Sequence, residues 1–275
     1  TTADNNTAVG RSALGANTTG IRNIAVGAYA LEANTTANNN TAVGYNAGAD
    51  ITTGTANVAI GAYSLDAATT VSDNTAVGYY TLSANTTGDK NTCLGSGAMS
   101  VNTTGHSNVA VGYAALDANT TAHYNTAVGR NSLTENTTGQ YNTAVGYQSL
   151  RVNTTSSENT AIGAAALELM TTGSANTAVG HRALEASTTA SQNVAVGQRA
   201  LYQQTTGEKN TALGWNAGGS ITGASFNTYV GQRAGDANSS SNNTAVGSES
   251  LSSNCGPENT AVGSNALLLC TGARN

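Results

Sequence analysis

The sequence predicts an all-β fold, a parallel β-solenoid of about sixteen seventeen-residue coils, and three observations point to it. The first is a repeat. N-T-A-V-G or a close variant begins at Asn6 and returns every seventeen residues as far as Asn227, with two further copies at Asn243 and Asn259 after steps of sixteen. The second is the chemistry of the repeat, whose consensus reads N-T-A-V-G-x-x-A-L-x-x-N-T-T-G-x-x. Position one is always Asn and position five always Gly; position two is β-branched (Thr7, Ile24, Val58, Val109) and position four aliphatic (Val9, Ile60, Leu94, Ile162). These are strand residues rather than helix residues. The third is composition: 32 Gly, 1 Pro, 1 Phe and 1 Trp among 275 residues, with 9% charged and a 39% hydrophobic share carried largely by Ala and Val. Such a chain can build only a thin interior of small side chains. Its Gly and Thr content and its lack of a 3.6-residue period exclude a helical repeat.

The elements of one coil follow in order. Alternation along a strand places positions two and four on one face and one, three and five on the other, and the aliphatic side chain at four is expected to point into the coil. The invariant Asn at position one is expected to form a stacked amide ladder at a corner. Position eight is small, and Leu at nine (Leu14, Leu31, Leu65, Leu82) is the second core residue. Met99 replaces it once, and Gly48, Gly218 and Gly235 leave it out. In two of those three coils position twelve is Ile (Ile51, Ile221), which suggests that position twelve turns inward to refill the lost volume. Two or three short strands per coil are expected, with corners near the glycine at five and near N-T-T-G. Sixteen coils stacked at about 4.8 Å would span roughly 75 Å. One coil cannot bury its own core, so stability is expected to come from neighbour interfaces.

A single repeat solenoid over residues 1–275 is the expected domain, with 243–275 as slightly shortened coils. Cys255 at position thirteen and Cys270 at position twelve of the next coil fall within reach of a disulfide that would staple these coils and imply an oxidising compartment; two buried thiols are the alternative. Cys93, at the small position three, reads as a packed, unpaired thiol. Thr1 to Asn5 read as the end of a preceding coil and Asn275 as a coil finish, an arrangement expected of a segment of a longer protein or of subunits stacking end to end.

Net charge is -5, with a pI near 5.0 and ten scattered basic residues. Nucleic acids and anionic membrane surfaces require clustered Lys and Arg, so neither is an expected partner. No apolar run approaches a membrane span, and membrane insertion is not expected.

Several surface features carry possible function. Asn17, Asn34, Asn85, Asn102, Asn119, Asn136, Asn153 and Asn238 at position twelve sit in N-x-(S/T) acceptors, with further ones at Asn5, Asn39 and Asn242; glycosylation and plain turn chemistry both account for them. Thr pairs at thirteen and fourteen make parallel rows from Thr18 and Thr19 to Thr205 and Thr206, the sort of array that suggests ice binding. Against it, adjacent residues face opposite ways and no T-x-T face is present. Aromatic residues gather at positions six and seven, notably Tyr45, Tyr79, Tyr113, Tyr147 and Trp215, joined by Tyr29, Tyr63 and Tyr80 and interspersed with Arg11, Arg130, Arg182, Arg199 and Arg233. Such rows suit a subunit contact or a ligand surface. His106 and His123 share a position in adjacent coils, while His181 lies elsewhere; a solvated pair is the expected reading. No triad, carboxylate pair or phosphate loop emerges, so no enzyme, metal or cofactor is expected.

The run N-T-A-V-G, then A-L, then N-T-T-G resembles repeats of phage tail-fibre and spike-like proteins and of related bacterial surface proteins. More distantly, it is similar to the A-(V/I)-G repeats of YadA-type heads in trimeric autotransporter adhesins, which form a β-roll. The resemblance spans nearly the whole chain. It implies a trimeric, rod-like module for adhesion or spacing, placed outside the cell, on the cell surface or on a virion. The expected function is therefore a structural fibre or adhesin stalk that self-associates as a trimer or an end-to-end filament, with a cell-surface glycan or receptor as a further partner. The alternatives are an ice-binding solenoid and a carbohydrate-binding repeat module.

Overall fold

The structure, a computed structural model, describes residues 3–270 and Gly272. The readings made for Thr1, Thr2 and Asn275 lie outside the described residues. The chain falls into two compact units, residues 1–140 and 141–275. Each coil supplies one three-residue strand from positions two to four: β1 (Thr7–Val9) through β8 (Thr126–Val128) in the first unit, β9 (Thr143–Val145) through β16 (Thr260–Val262) in the second. Within each unit consecutive strands pair in parallel without a register slip, Thr7 opposite Ile24 and Thr160 opposite Thr177. Each unit is a parallel β-solenoid, the fold class expected.

The two or three strands foreseen per coil are reduced to one because three other positions leave extended backbone. Positions seven, nine and seventeen take left-handed φ, as at Tyr29 (63°), Leu31 (49°) and Asn39 (59°). That conformation costs a residue with a side chain roughly 1–2 kcal/mol. It persists here because these corners are hydrogen-bonded along the stack: Leu31 N–H donates to Ala47 O at 3.0 Å in the next coil, and Tyr29 N–H to Arg11 O at 2.8 Å in the previous one. The strand ends at Gly five for a steric reason. Gly112 has φ +136°, and a Cβ there would lie 2.5 Å from Gly129 O in the next coil. Neither the dihedral nor the space admits a side chain.

The core face of the strand is the reverse of the expectation. Ala25 at position three is fully buried, whereas Ile24 at two is 42% exposed and Val43 at four is 37% exposed. The alternation itself holds, but position one determines its phase. Asn23 Oδ1 accepts from Asn40 N–H at 2.9 Å, and Asn23 Nδ2 donates to Ala37 O at 2.8 Å, a backbone carbonyl facing the interior. An amide committed to those partners must point inward, and position three follows it while two and four turn out. The expected Asn ladder therefore exists, but inside the coil, and Ala is the strand's contribution to the core.

Leu at nine is buried as expected. From Asn85 to Asn136 position twelve forms a second buried amide column: Asn102 Nδ2 donates to Asn85 Oδ1 at 2.8 Å and Asn119 Nδ2 to Asn102 Oδ1 at 2.9 Å. Where Leu is absent the volume is refilled. Ile51 and Ile221 are fully buried, and Ile51 Cδ1 lies 3.0 Å from the point where a Gly48 Cβ would stand. Gly235, which has no Ile partner, is compensated by Tyr229. This residue replaces Ala at position three, is fully buried, and puts its ring 2.3 Å from a Cβ built on Gly235 and 2.9 Å from one built on Gly218.

Candidate functional site

With positions one, three, nine and twelve committed to the interior, function rests on what the coil turns outward. The outer face of each strand carries positions two and four, which are Thr, Val, Ile or Leu, with no ionisable residue at either position in any coil. Leu94 and Leu213 are both 48% exposed on it. Aliphatic side chains repeated in register on an open sheet form the kind of apolar patch that marks contact surfaces.

The corner at positions six and seven gathers the aromatics. In the first unit Tyr29, Tyr45, Tyr63, Tyr79 and Tyr80 pack as one cluster: Tyr45 meets Tyr63 edge-on at 5.3 Å, Tyr63 stacks on Tyr80 at 4.8 Å, and Tyr79 meets Tyr80 edge-on at 4.5 Å. The Arg11 guanidinium lies 5.2 Å over Tyr29, and that of Arg130 lies 5.8 Å over Tyr113. In the second unit Arg182 and Arg199 both lie over Tyr202, at 5.6 and 5.1 Å. Tyr202 stands at position ten, so a search confined to positions six and seven passes over it. Tyr147 and Trp215 are exposed.

Tyr79, Tyr80 and Tyr113 line a surface cleft of about 430 Å³ together with Gly97, Ser100 and Asp117. On its polar side Ser83 Oγ donates to Ser100 O at 3.2 Å, and the Ser100 hydroxyl donates in turn to Asp117 Oδ1.

The sequon positions divide by burial. Asn34, Asn85, Asn102, Asn119, Asn136, Asn153 and Asn238 are fully buried, so the folded coil leaves no room for a glycan on these amides; Asn17 is partly exposed. For Asn85, Asn102, Asn119, Asn136 and Asn153 the cause is that for the strand, since an amide that bonds an interior carbonyl, as Asn85 Nδ2 bonds Gly88 O at 2.8 Å, cannot also face solvent; Asn34 is buried without such a bond. The Thr rows are partly consumed as well. Position thirteen hydroxyls bond along the stack, Thr103 Oγ1 donating to Thr120 O at 3.0 Å, which leaves fewer hydroxyls to organise water.

His106 and His123 stack with ring centroids 3.8 Å apart. His106 N–H donates to His123 Nδ1 at 3.0 Å, which requires that nitrogen to be unprotonated. Burial, and secondarily the neighbouring His106, hold the His123 pKa below the ordinary imidazole value. Among the described residues no group of three or more His, Cys, Asp or Glu is placed to hold a metal ion. Cys93 is buried and unbridged, 3.4 Å from Met99 Sδ, and burial pushes its thiol far up, away from the reactive thiolate. Cys255 and Cys270 are joined, with Cα atoms 5.3 Å apart. No helix among the described residues is long and apolar enough to cross a membrane.

No protein-family model, curated protein or solved structure matches the chain.

Proposed function

We propose that the chain is a structural module of an extracellular fibre or adhesin stalk, a stiff spacer that self-associates side by side or end to end. One observation carries this reading: within each unit every coil is hydrogen-bonded to the next on all its sides. Strand pairing ties one side, the Asn column of position one ties the interior, joined between Asn85 and Asn136 by that of position twelve, and the left-handed corners and Thr hydroxyls tie the rest. Bending or shearing such a stack breaks many bonds at once, and that stiffness suits a spacer. The uncharged outer ribbon supports association between copies, since two such faces meet without desolvating a charge. Electron microscopy of the purified chain tests the reading. Straight particles of uniform width, lengthening or bundling with concentration, are expected. Globular or flexible particles that stay monomeric in sedimentation at all concentrations would refute it.

A second reading, ice binding, gains from the same outer ribbon rather than from the Thr pairs of the N-T-T-G turn. Positions two and four present Thr hydroxyls and aliphatic methyls, repeated from coil to coil on the outer face of the strands. Thermal hysteresis at micromolar protein would establish it, and its absence with intact fold would remove it.

A further inference from the structure

We infer that the cleft across the fifth, sixth and seventh coils is a binding site for a pyranose ring, stacked on Tyr80 and held between Tyr79 and Tyr113. The inference is independent of the stalk reading, because it rests on one irregularity in the aromatic corner.

At position six Tyr recurs on alternate coils, Tyr45, Tyr79 and Tyr113, each pair being two coil rises or about 9–10 Å apart. Between the first pair, position seven holds Tyr63. Its ring meets Tyr45 edge-on at 5.3 Å and Tyr79 edge-on at 6.4 Å, and it stacks on Tyr80 at 4.8 Å. Between the second pair the corresponding residue is Gly97. A Cβ built there meets nothing within 4 Å, and the cleft of about 430 Å³ opens at that point. The column Tyr63, Tyr80 thus ends on a ring face with a ring-sized gap beyond it, walled on both sides as Tyr63 is walled. Tyr79 and Tyr113 are each 56% exposed, so the walls stand clear of the coil.

The polar side of the gap selects among rings. Position ten supplies Ser83, Ser100 and Asp117 in consecutive coils. The hydroxyls of Ser83 and Ser100 are already spent as donors, to Ser100 O and to Asp117 Oδ1. What this column offers a ligand is therefore acceptors: the remaining carboxylate oxygen and the hydroxyl lone pairs. A ligand must bring an apolar ring face and several hydrogen-bond donors at its edge. A neutral pyranose does both, its axial C–H groups on the Tyr80 face and its hydroxyls toward Asp117. A planar heteroaromatic ring fills the slot but brings few donors, and a quaternary ammonium brings none.

The test titrates the whole chain with methyl glucoside, galactoside, mannoside and N-acetylglucosaminide, followed by heteronuclear NMR shifts of Gly97 and Ala114 and by saturation transfer to the sugar. At least one pyranoside is expected to bind in the millimolar range or tighter, as for a single shallow ring site. Gly97→Tyr, which restores the arrangement around Tyr63 and finds open space for its Cβ, is expected to abolish binding; at φ +68° it takes on the left-handed strain that Tyr63 already bears, so the unfolding midpoint falls slightly while the fold is kept. Tyr113→Ala and Asp117→Ala are each expected to weaken binding about tenfold. Failure of all four sugars to shift these residues would overturn the proposal. So would undiminished binding by Gly97→Tyr, or tetramethylammonium binding there more tightly than every sugar.

Discussion

Tyr229 offers the sharpest test of how the interior is filled, because it serves two coils at once. Its ring occupies the space that Leu would take at both Gly218 and Gly235, and its hydroxyl is buried with no hydrogen-bond partner. Tyr229→Ala removes a fully buried aromatic side chain, a change worth about 3–5 kcal/mol in well-packed cores. Relief of the unpaired hydroxyl offsets about 1–2 kcal/mol of this, leaving a net loss of about 2–4 kcal/mol. Gly235→Leu alone should also destabilise, by about 1–3 kcal/mol, since even its Cβ would stand 2.3 Å from the ring. Combined, the changes should reverse sign. In the Tyr229→Ala background, Gly235→Leu recreates the Ala-and-Leu core of the other coils, whereas Gly218 is left as it is, because Ile221 is buried in its coil and a Cβ there would also meet Leu201 Cδ2 at 2.9 Å. Gly235 already holds φ of 64°, close to the 48–54° at which Leu sits elsewhere. The Leu then regains about 2–5 kcal/mol of packing against roughly 1–2 kcal/mol of backbone strain. Urea unfolding followed by fluorescence of Trp215, which belongs to the neighbouring coil, reads the effect locally. The double variant is expected to recover much of the midpoint lost in Tyr229→Ala, and Tyr229→Phe to exceed the parent. A double variant no more stable than Tyr229→Ala would refute the volume exchange.

Four further outcomes follow from the same structure. Asn91→Ala should cost about 3–5 kcal/mol in urea unfolding: it removes the amide that bonds Gly105 O at 2.9 Å and orphans the buried Asn108 N–H, now 3.0 Å from Asn91 Oδ1. Gly112→Ala should cost about 2–6 kcal/mol from backbone strain and overpacking together, visible as loss of soluble folded protein or a collapsed melting temperature. Replacing Cys255 and Cys270 by Ser together should lower stability by about 3 kcal/mol under non-reducing conditions, given the 15-residue separation, and make it insensitive to dithiothreitol. The depressed His123 pKa means the unfolded chain takes up a proton first. Its contribution is therefore complete above the ordinary imidazole pKa near 6.5 and is lost as pH falls from there through the folded value. His123→Gln should flatten the stability profile between about pH 7 and 5, and an unchanged slope would dismiss the stacked pair as its source.

Much of the fold was legible because sixteen copies solve one packing problem. Leu at nine and the Ile51 and Ile221 exchange are visible in the chain, and the structure buries them as expected; the invariant Gly of position five marks a partly exposed corner, and the invariant Asn of position one lies inside the coil instead of at a corner. Two assignments failed for one reason. Hydrophobicity placed Val inward and set the Asn ladder at a corner, whereas a coil this thin must satisfy the carbonyls of its own corners. Asn at one does so from inside, which turns Val out, and at twelve Asn85, Asn102, Asn119, Asn136 and Asn153 do the same. The expectation of several strands failed because left-handed φ at Leu31 or Tyr29 leaves no mark in residue type; it is sustained by bonds to neighbouring coils, not by local preference.

The same division holds for the candidate site. The sequence by itself determined the period, the residues in each column and hence which side chains stack, since an in-register repeat converts position number into neighbourhood. Tyr79 and Tyr113 were both readable in it. Only the tertiary structure decided which way each column faces, that Tyr63 fills one interval between tyrosines and that nothing fills the next. Facing depends on which polar groups the interior must satisfy, and a vacancy is a property of the surrounding walls rather than of the residue that leaves it.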